Sequence, residues 1–186
     1  STSIILNNIF NSSGSPVELL MKKERNNSWI RWGLGLYGYQ NTYFPNPDNR
    51  YKIEDSYISL SPSIGIEKRN TLNNRWFLLY GGDLLLLGSM RQYTHTNTSD
   101  PNSTAIQQDD TYSIGGGIRP FLGLGFTILP RLYISTEASG LLTASYIKRS
   151  YESSRADFET LITDQNGWNG NLSLRPASSI FVYYRF

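Results

Sequence analysis

Residues 168–186 read WNGNLSLRPASSIFVYYRF, and two kinds of side chain alternate along this stretch. The even positions are mostly apolar or aromatic, as at Trp168, Leu172 and Ile180, whereas the odd positions are mostly small, polar or charged. A period of two is typical of a β-strand that has one face in an apolar environment. The stretch predicts a strand of about twice the usual length in globular proteins.

The same alternation recurs upstream. A shorter alternating segment lies at 17–24, and residues 2–10 form a shorter apolar segment whose facing is not set by its sequence. Five longer segments complete the set, at 28–43, 54–68, 75–92, 111–128 and 131–148. The chain therefore predicts eight strands, and the composition does not break anywhere along residues 1–186 into two domains.

The predicted connections alternate in length. Short ones fall at 25–27, 69–74 and 129–130, and a small turn lies at 11–15. Longer polar ones fall at 44–53, 93–110 and 149–168. Short turns at one end, long loops at the other and a wall that is apolar outside and polar inside indicate an all-β fold, a transmembrane antiparallel up-and-down β-barrel of eight strands.

Aromatic residues at strand ends are candidates for the girdles that mark the membrane surfaces. They are Trp32, Trp76, Tyr80, Tyr112, Tyr146, Trp168, Tyr184 and Phe186. The alternative is a soluble lipocalin-like barrel, which has the same alternation but places the apolar face inside. The strand length, and charges of both signs at mid-strand on the polar face, favour the membrane barrel.

Composition narrows the functional classes. The formal charge of +2 gives no basic face for nucleic acid, cysteine is absent, and no apolar run reaches the 18 residues of a membrane helix. If the protein is exported, we expect this chain to be the mature form, left after removal of a signal peptide.

Gly33, Gly35 and Gly38 have the G-x-G-x-x-G spacing of a dinucleotide-binding loop. That loop must open a helix, yet residues 39–47 are rich in β-formers and contain two prolines. We therefore interpret Gly33 and Gly35 as small residues on the crowded polar face of a strand, where they make room for long side chains from the opposite wall of the barrel.

This pattern resembles the small eight-stranded outer-membrane barrels of Gram-negative bacteria, the group of OmpX-like proteins and OmpA transmembrane domains. Three features carry the resemblance. Residues 180–186 (IFVYYRF) look like the C-terminal assembly signal of such proteins, and residues 16–24 (PVELLMKKE) are followed by a turn and a Gly-rich strand as in many members. The third feature is the order and the lengths of the strands and loops over the whole chain. The resemblance implies a bacterial outer-membrane location, contact with lipopolysaccharide, and recognition of the Phe186 segment by the assembly machinery. The sequence ends at Phe186, and we therefore do not expect the peptidoglycan-anchor role of the OmpA type.

The sequence favours a protein without catalysis, cofactor or metal. The single histidine, His95, is predicted to begin a polar loop, and residue 97 is Asn where the barrel deacylases have Ser. A flexible loop does not hold a nucleophile and a base in geometry. Candidate oxygen ligands for Ca²⁺ occur in two predicted loops, but a solvated acidic loop is the preferred interpretation; these ligands are Asn46, Asp48, Asn49, Glu54, Asp55, Asp100, Asp109 and Asp110.

A barrel of eight strands has an interior that side chains just fill, so we expect no pore. The bulky residues predicted for the lumen are Arg31, Arg91, Arg119, Arg175, Tyr37 and Tyr183. In an antiparallel hairpin the numbers of opposed residues add up to a constant, twice the centre of the loop, and we call the use of this rule hairpin arithmetic. It places Arg31 near Glu67, and it predicts a ladder of alternating charge through Asp83, Arg119, Glu137 and Arg175.

The expected role is a structural or interaction role through the extracellular loops or the barrel wall. Two alternatives stay open: an accessory subunit of a larger outer-membrane complex, and an outer-leaflet lipid-modifying enzyme.

Overall fold

The computed structural model describes residues 2–7, 17–25, 28–45, 50–100, 103–155, 158–176 and 180–185. These residues form nine antiparallel strands and, among them, no helix that is long and apolar enough to cross a membrane. The strands are β1 (Thr2–Asn7), β2 (Val17–Arg25), β3 (Ser28–Tyr43), β4 (Tyr51–Thr71), β5 (Trp76–Asp100), β6 (Ser103–Leu129), β7 (Leu132–Arg155), β8 (Phe158–Arg175) and β9 (Ile180–Arg185).

Each strand pairs with its neighbours in chain order from β1 to β8. β9 pairs with β7 on one side and with β1 on the other, so that the pairings run in a ring at this end. β8 and β9 lie one after the other along β7, with Pro176 after β8, and they fill a single eighth position. The up-and-down fold of eight strands is confirmed, and the predicted strand 168–186 is interrupted at a proline, which has no backbone N–H for the ladder.

The two ends of the barrel differ. The turn end holds the tight connections at 72–75 and 130–131. The mouth end holds the far ends of the long strands: β5 and β6 remain paired as far as Asp100 and Ser103, and β7 and β8 as far as Arg155 and Phe158. The loops predicted at 93–110 and 149–168 are therefore wrong, because these segments extend the sheet instead. The predicted loop 44–53 is shorter, since β4 begins at Tyr51, and the turn predicted at 69–74 begins only after Thr71.

Apolar side chains point outward along the strands. Leu86 on β5, Ile114 on β6 and Leu174 on β8 are 67%, 72% and 82% exposed, whereas Tyr183 and Glu67, on the inner face, are fully buried. A lipocalin-like barrel would show the reverse arrangement. The membrane-barrel facing of the two sides is confirmed, and the soluble alternative is wrong.

Glycines on the inner face admit the large side chains of neighbouring strands. A Cβ at Gly125 would collide with the ring of Phe77, its cross-strand partner, and a Cβ at Gly33 or Gly35 would collide with the hydroxyl of Ser63 or Ser61. The interpretation of the G-x-G stretch as a crowded strand face is thus confirmed. The expectation of long side chains from the opposite wall is wrong, because the nearest atoms are serine hydroxyls of the neighbouring strand β4.

Outward aromatic residues lie at two levels. Trp76, Phe126 and Tyr184 lie near the turn end, where Trp76 and Phe126 are in contact, and Tyr112, Tyr146 and Trp168 lie nearer the mouth, where Tyr146 packs edge-on against Trp168. On β6 the two levels are about 35 Å apart, at about 3.4 Å per residue and a strand tilt of about 40°. Above the upper level the sheet rises by roughly another 20 Å. Phe186 and the side chains of residues 2–10 lie outside the described part of the chain.

Candidate functional site

The lumen near the turn end holds a group of charged side chains that we call the lumen cluster, formed by Lys22, Arg31, Glu67, Arg69, Asp83, Arg119 and Glu137. Glu67 lies at its centre. Its carboxylate is fully buried and accepts hydrogen bonds from Lys22 at 2.5 Å, Arg31 at 3.2 Å and Arg69 at 2.7 Å. Three cations around one buried carboxylate compensate its lost hydration.

Glu137 on β7 completes the cluster from the opposite side of the lumen. One oxygen of its carboxylate is 3.4 Å from Lys22 Nζ, and the other accepts a hydrogen bond of 3.1 Å from Arg31. The Tyr183 hydroxyl accepts a hydrogen bond of 2.8 Å from Lys22 and donates one of 3.2 Å to Glu137. Strands β2, β3, β7 and β9 are thereby connected through the interior.

Aromatic rings pack on the turn-end side of the cluster. The Arg69 guanidinium lies over the rings of Trp29 at 4.1 Å and Tyr133 at 4.6 Å, and Tyr133 stacks on Tyr183 with centroids 4.5 Å apart. Arg31 lies over Phe121 at 3.9 Å. Cation–π contacts of this kind are stronger when water is excluded.

The predicted charge ladder is confirmed in part. Asp83 and Arg119 are cross-strand partners, joined by a hydrogen bond of 2.9 Å from Arg119 Nε and an ion-pair contact of 2.8 Å from Arg119 Nη2. Arg31 does contact Glu67. The step from Glu137 to Arg175 is wrong. Arg175 lies opposite Ser139 with an exposed side chain, while Glu137 turns across the lumen to Lys22 and Arg31.

Sequence reasoning missed two members of the cluster, Lys22 and Arg69. Lys22 is the register partner of Arg31, so hairpin arithmetic across the 25–27 turn carried the signal. The sequence pattern predicts a turn at Arg69. This residue instead lies in β4, two positions after Glu67 and on the same face of the strand. Extending the period-two alternation of β4 from Glu67 to Arg69 would have placed Arg69 correctly on the inner face.

Towards the mouth, the inner face carries two further ion pairs of a different kind. Arg91 donates through Nε and Nη2 to the two oxygens of Asp55, at 3.0 and 2.9 Å, and Arg149 contacts Asp109 in the same side-on manner, with Nε at 2.8 Å from Oδ1. About half of each arginine side chain is exposed, against 15% for Asp55 and 17% for Asp109. Arg91, predicted as a lumen residue, thus lies in water at the mouth.

These pairs border an open cavity of about 520 Å³ that we call the mouth basin, lined among others by Tyr57, Arg91, Tyr93, Asp109, Thr111 and Arg149. Tyr37, Tyr39 and Tyr57 form an aromatic group beside Arg91, with Tyr39 and Tyr57 stacked at 5.7 Å. Tyr37, a predicted lumen residue, faces the interior here. The Tyr39 hydroxyl donates to Asp55 at 3.1 Å.

Hydrogen bonding sets the titration of the two mouth carboxylates, which lie beyond the upper aromatic level. The hydrogen bonds from Arg91 lower the pKa of Asp55, and Tyr39 contributes in the same direction. The hydrogen bonds from Arg149 lower the pKa of Asp109. In both cases burial acts in the opposite direction and is outweighed. Both aspartates are therefore ionised at neutral pH.

The candidate catalytic and metal-binding residues are arranged otherwise than the sequence suggested. His95 lies within β5 rather than in a loop, and its ring stacks on Tyr51 at 5.9 Å. Asp55 and Asp109 are engaged by arginines, Asn46, Asp48 and Asn49 lie outside the described residues, and nothing is described of the side chain of Asp100. Within the described part of the chain, His, Asp and Glu form no group of three suited to a metal ion.

Comparison with known proteins gives matches among solved structures. The chain is similar to a major outer membrane protein from Thermus thermophilus, with 11% sequence identity over 100% of this chain and 98% of that one and a TM-score of 0.40. It is also similar to CarO from Acinetobacter baumannii, with 11% identity over 100% and 97% of the two chains and a TM-score of 0.33. No protein-family model and no curated protein matches it.

Proposed function

We propose that the protein is an integral β-barrel of the bacterial outer membrane with a non-catalytic interaction role at its mouth end. One observation carries this proposal: an outward apolar belt lies between two aromatic levels, around a lumen filled by buried ion pairs. An apolar exterior of this height suits a bilayer, whose hydrocarbon core is about 30 Å thick. In water the same surface would be an aggregation hazard.

The filled lumen supports a role other than conduction. Lys22, Glu67 and Tyr183 are fully buried, and their contacts extend from one wall of the barrel to the other. An ion could pass only by displacing several charge-assisted hydrogen bonds at once. The protein therefore acts through surfaces that it presents outside the membrane, which include the mouth and the sheet above it.

The test is refolding of the full chain into lipid vesicles, followed by planar-bilayer recording. We expect a heat-modifiable band on denaturing gels, protection of the strands from protease, and no steady conductance. Failure to insert would contradict the membrane location. Stable, ion-selective conductance would contradict the filled lumen.

Assembly through the C-terminal segment is a separate part of the proposal. Val182 and Tyr184 are outward positions, and the period of two in the sequence predicts the same face for Phe186. We expect deletion of Phe186 to reduce the folded barrel in native outer membranes and to leave refolding into vesicles intact, since the vesicles contain no assembly machinery. Normal levels in the native membrane would contradict this role.

A second candidate role is that of an accessory subunit in a larger membrane complex. Ile106 and Ile162 are exposed, at 42% and 65%, on the part of the sheet above the upper aromatic level, where water and not lipid is the neighbour. Exposed apolar residues there suit contact with another outer-membrane protein. A stoichiometric partner in mild-detergent extracts of native membranes, lost with Ile162→Arg, would favour this role over action alone.

A further inference from the structure

The two mouth arginines retain hydrogen-bonding capacity. A guanidinium has five N–H donors, and each carboxylate engages only the edge formed by Nε and Nη2. Among the described residues, Nη1 of Arg91 and of Arg149 has no hydrogen-bond partner. The carboxylates are mostly covered, while half of each arginine side chain is exposed. A molecule entering the basin therefore meets cationic donors, although the four charges sum to zero.

The strand register places both arginines at one level. Arg91 on β5 is the partner of Thr111 on β6, and Thr111 is the partner of Arg149 on β7. Two strand spacings separate the arginine backbones by roughly 10 Å, and both side chains line the same basin. Each aspartate holds its arginine from the neighbouring strand, so that the guanidinium planes are fixed before a ligand arrives. Fixed donors of this kind lower the entropic cost of binding an anion.

The other walls of the basin suit a small ring with hydroxyl groups. Tyr57 and Tyr93 offer flat apolar faces, Tyr57 being held by its stack on Tyr39, and Ser89 and Thr111 offer hydroxyls. A few placed polar groups among aromatic walls, in a volume of about 520 Å³, are typical of a small-molecule site. A pyranose ring combines an apolar face with hydroxyls at its rim, which matches both features.

We propose that the mouth basin binds a sugar that carries a carboxylate or a phosphate. The anionic group lies between Arg91 and Arg149, and the ring lies against Tyr57 or Tyr93. This inference rests on the proposed function, because the basin opens to the cell exterior only if the chain spans the outer membrane. Two sources offer the same chemistry: free acidic saccharides, and the acidic sugars of lipopolysaccharide in the surrounding leaflet.

Calorimetric titration of the refolded full chain in detergent tests the ligand class. Glucuronate and glucose 6-phosphate serve as the anionic sugars, and glucose serves as the neutral control. We expect both anionic sugars to bind at least tenfold more tightly than glucose. Equal binding of glucose, or binding of none of the three, would overturn the proposal.

Variants test the residues. Arg91→Gln and Arg149→Gln are each expected to weaken glucuronate binding about tenfold, with the barrel still heat-modifiable on gels. Lys52→Gln is the matched control, because Lys52 is also half-exposed and paired with a carboxylate, Glu54, but lies outside the basin. An unchanged affinity in both arginine variants, or an equal loss in Lys52→Gln, would place binding elsewhere.

Nanodiscs with and without lipopolysaccharide separate the two sources. Competition by lipopolysaccharide in the disc would identify the leaflet as the source, and unchanged glucuronate affinity would identify free sugar. A barrel that inserts but binds no anionic sugar contradicts this inference and leaves the proposed function intact. A chain that binds the sugar but does not insert contradicts the proposed function.

Discussion

The lumen cluster and the mouth basin are built from the same parts, arginines and carboxylates on the inner face of the sheet, yet they differ in their relation to water. In the cluster, Glu67 is buried and shared by three cations. In the basin, Asp55 and Asp109 each have one arginine, whose far half is solvated. A buried charge that loses its partner remains uncompensated, whereas water replaces a lost partner at the surface. The difference predicts that the cluster contributes more to stability than the pairs of the basin do.

Removal of the central carboxylate gives the largest expected effect. Glu67→Ala leaves Lys22, Arg31 and Arg69 around a void, and we expect it to lower the free energy of unfolding by about 3–5 kcal/mol. Urea titration of the barrel in lipid vesicles measures this. The matched change in the mouth, Asp55→Ala, is expected to cost less than about 1 kcal/mol. Equal costs would remove the distinction between the two regions.

A charge on the outer face tests where the membrane lies. Leu86→Arg, between the aromatic levels, should cost about 2–4 kcal/mol in vesicles, since the guanidinium enters hydrocarbon. Ile162→Arg is the control, because Ile162 is as exposed as Leu86, at 65% against 67%, but lies above the upper level. We expect that control to change the unfolding free energy by less than about 0.5 kcal/mol. Similar losses at both positions would place the boundary of the membrane elsewhere.

Substitutions of glycine on the inner face should also cost more stability near the turn end than towards the mouth, although the difference is smaller than for the charged residues. Gly125→Val places a Cβ against the Phe77 ring at the turn end, and we expect a loss of about 1–3 kcal/mol. Gly167 on β8 has open space around it, so Gly167→Val is expected to be neutral. The double variant Gly125→Val with Phe77→Ala should recover part of the loss, as a double-mutant cycle in urea would detect.

The smallest expected effect is the pH dependence of the mouth pairs. The pKa values of Asp55 and Asp109 in the folded protein lie below the ordinary value of 3.8, so their contribution is present above that pH and disappears as the pH falls through the folded values. We expect Arg149→Ala to raise the pKa of Asp109, observed by carboxyl NMR, and to differ slightly in stability from the parent at pH 7. The two proteins should be equally stable once Asp109 is protonated in both. A difference that persists there would exclude the ion pair as its cause.

Residues 93–110 show where the sequence could not distinguish a strand from a loop. Period-two alternation arises when one face of a strand is apolar and the other is not, and above the upper aromatic level most residues on both faces of β5 and β6 are polar. The remaining signal was the β-propensity of Thr94, Thr96 and Tyr93, which is weak because it depends on packing context. The loops predicted there were wrong for this reason, and His95 was misplaced with them.

Glu137 shows a second limit. Pairing along the wall follows from register, and register correctly joined Asp83 to Arg119. Contacts across the lumen depend on the diameter of the barrel and on side-chain direction. The register between neighbouring strands contains neither of these. Glu137 reaches Lys22 and Arg31 because eight strands enclose a space that long side chains can cross.

By itself the sequence determined most of the strand segments within the apolar belt, the faces that they present outward, the antiparallel order and two charge contacts, Asp83 with Arg119 and Arg31 with Glu67. Each of these follows from the period of two and from antiparallel register. The tertiary structure alone decided that Glu67 is the centre of a buried cluster, that β5 to β8 continue above the belt, and that two exposed arginines share one basin. These features depend on distances between residues far apart in the chain, which are fixed only when the barrel forms.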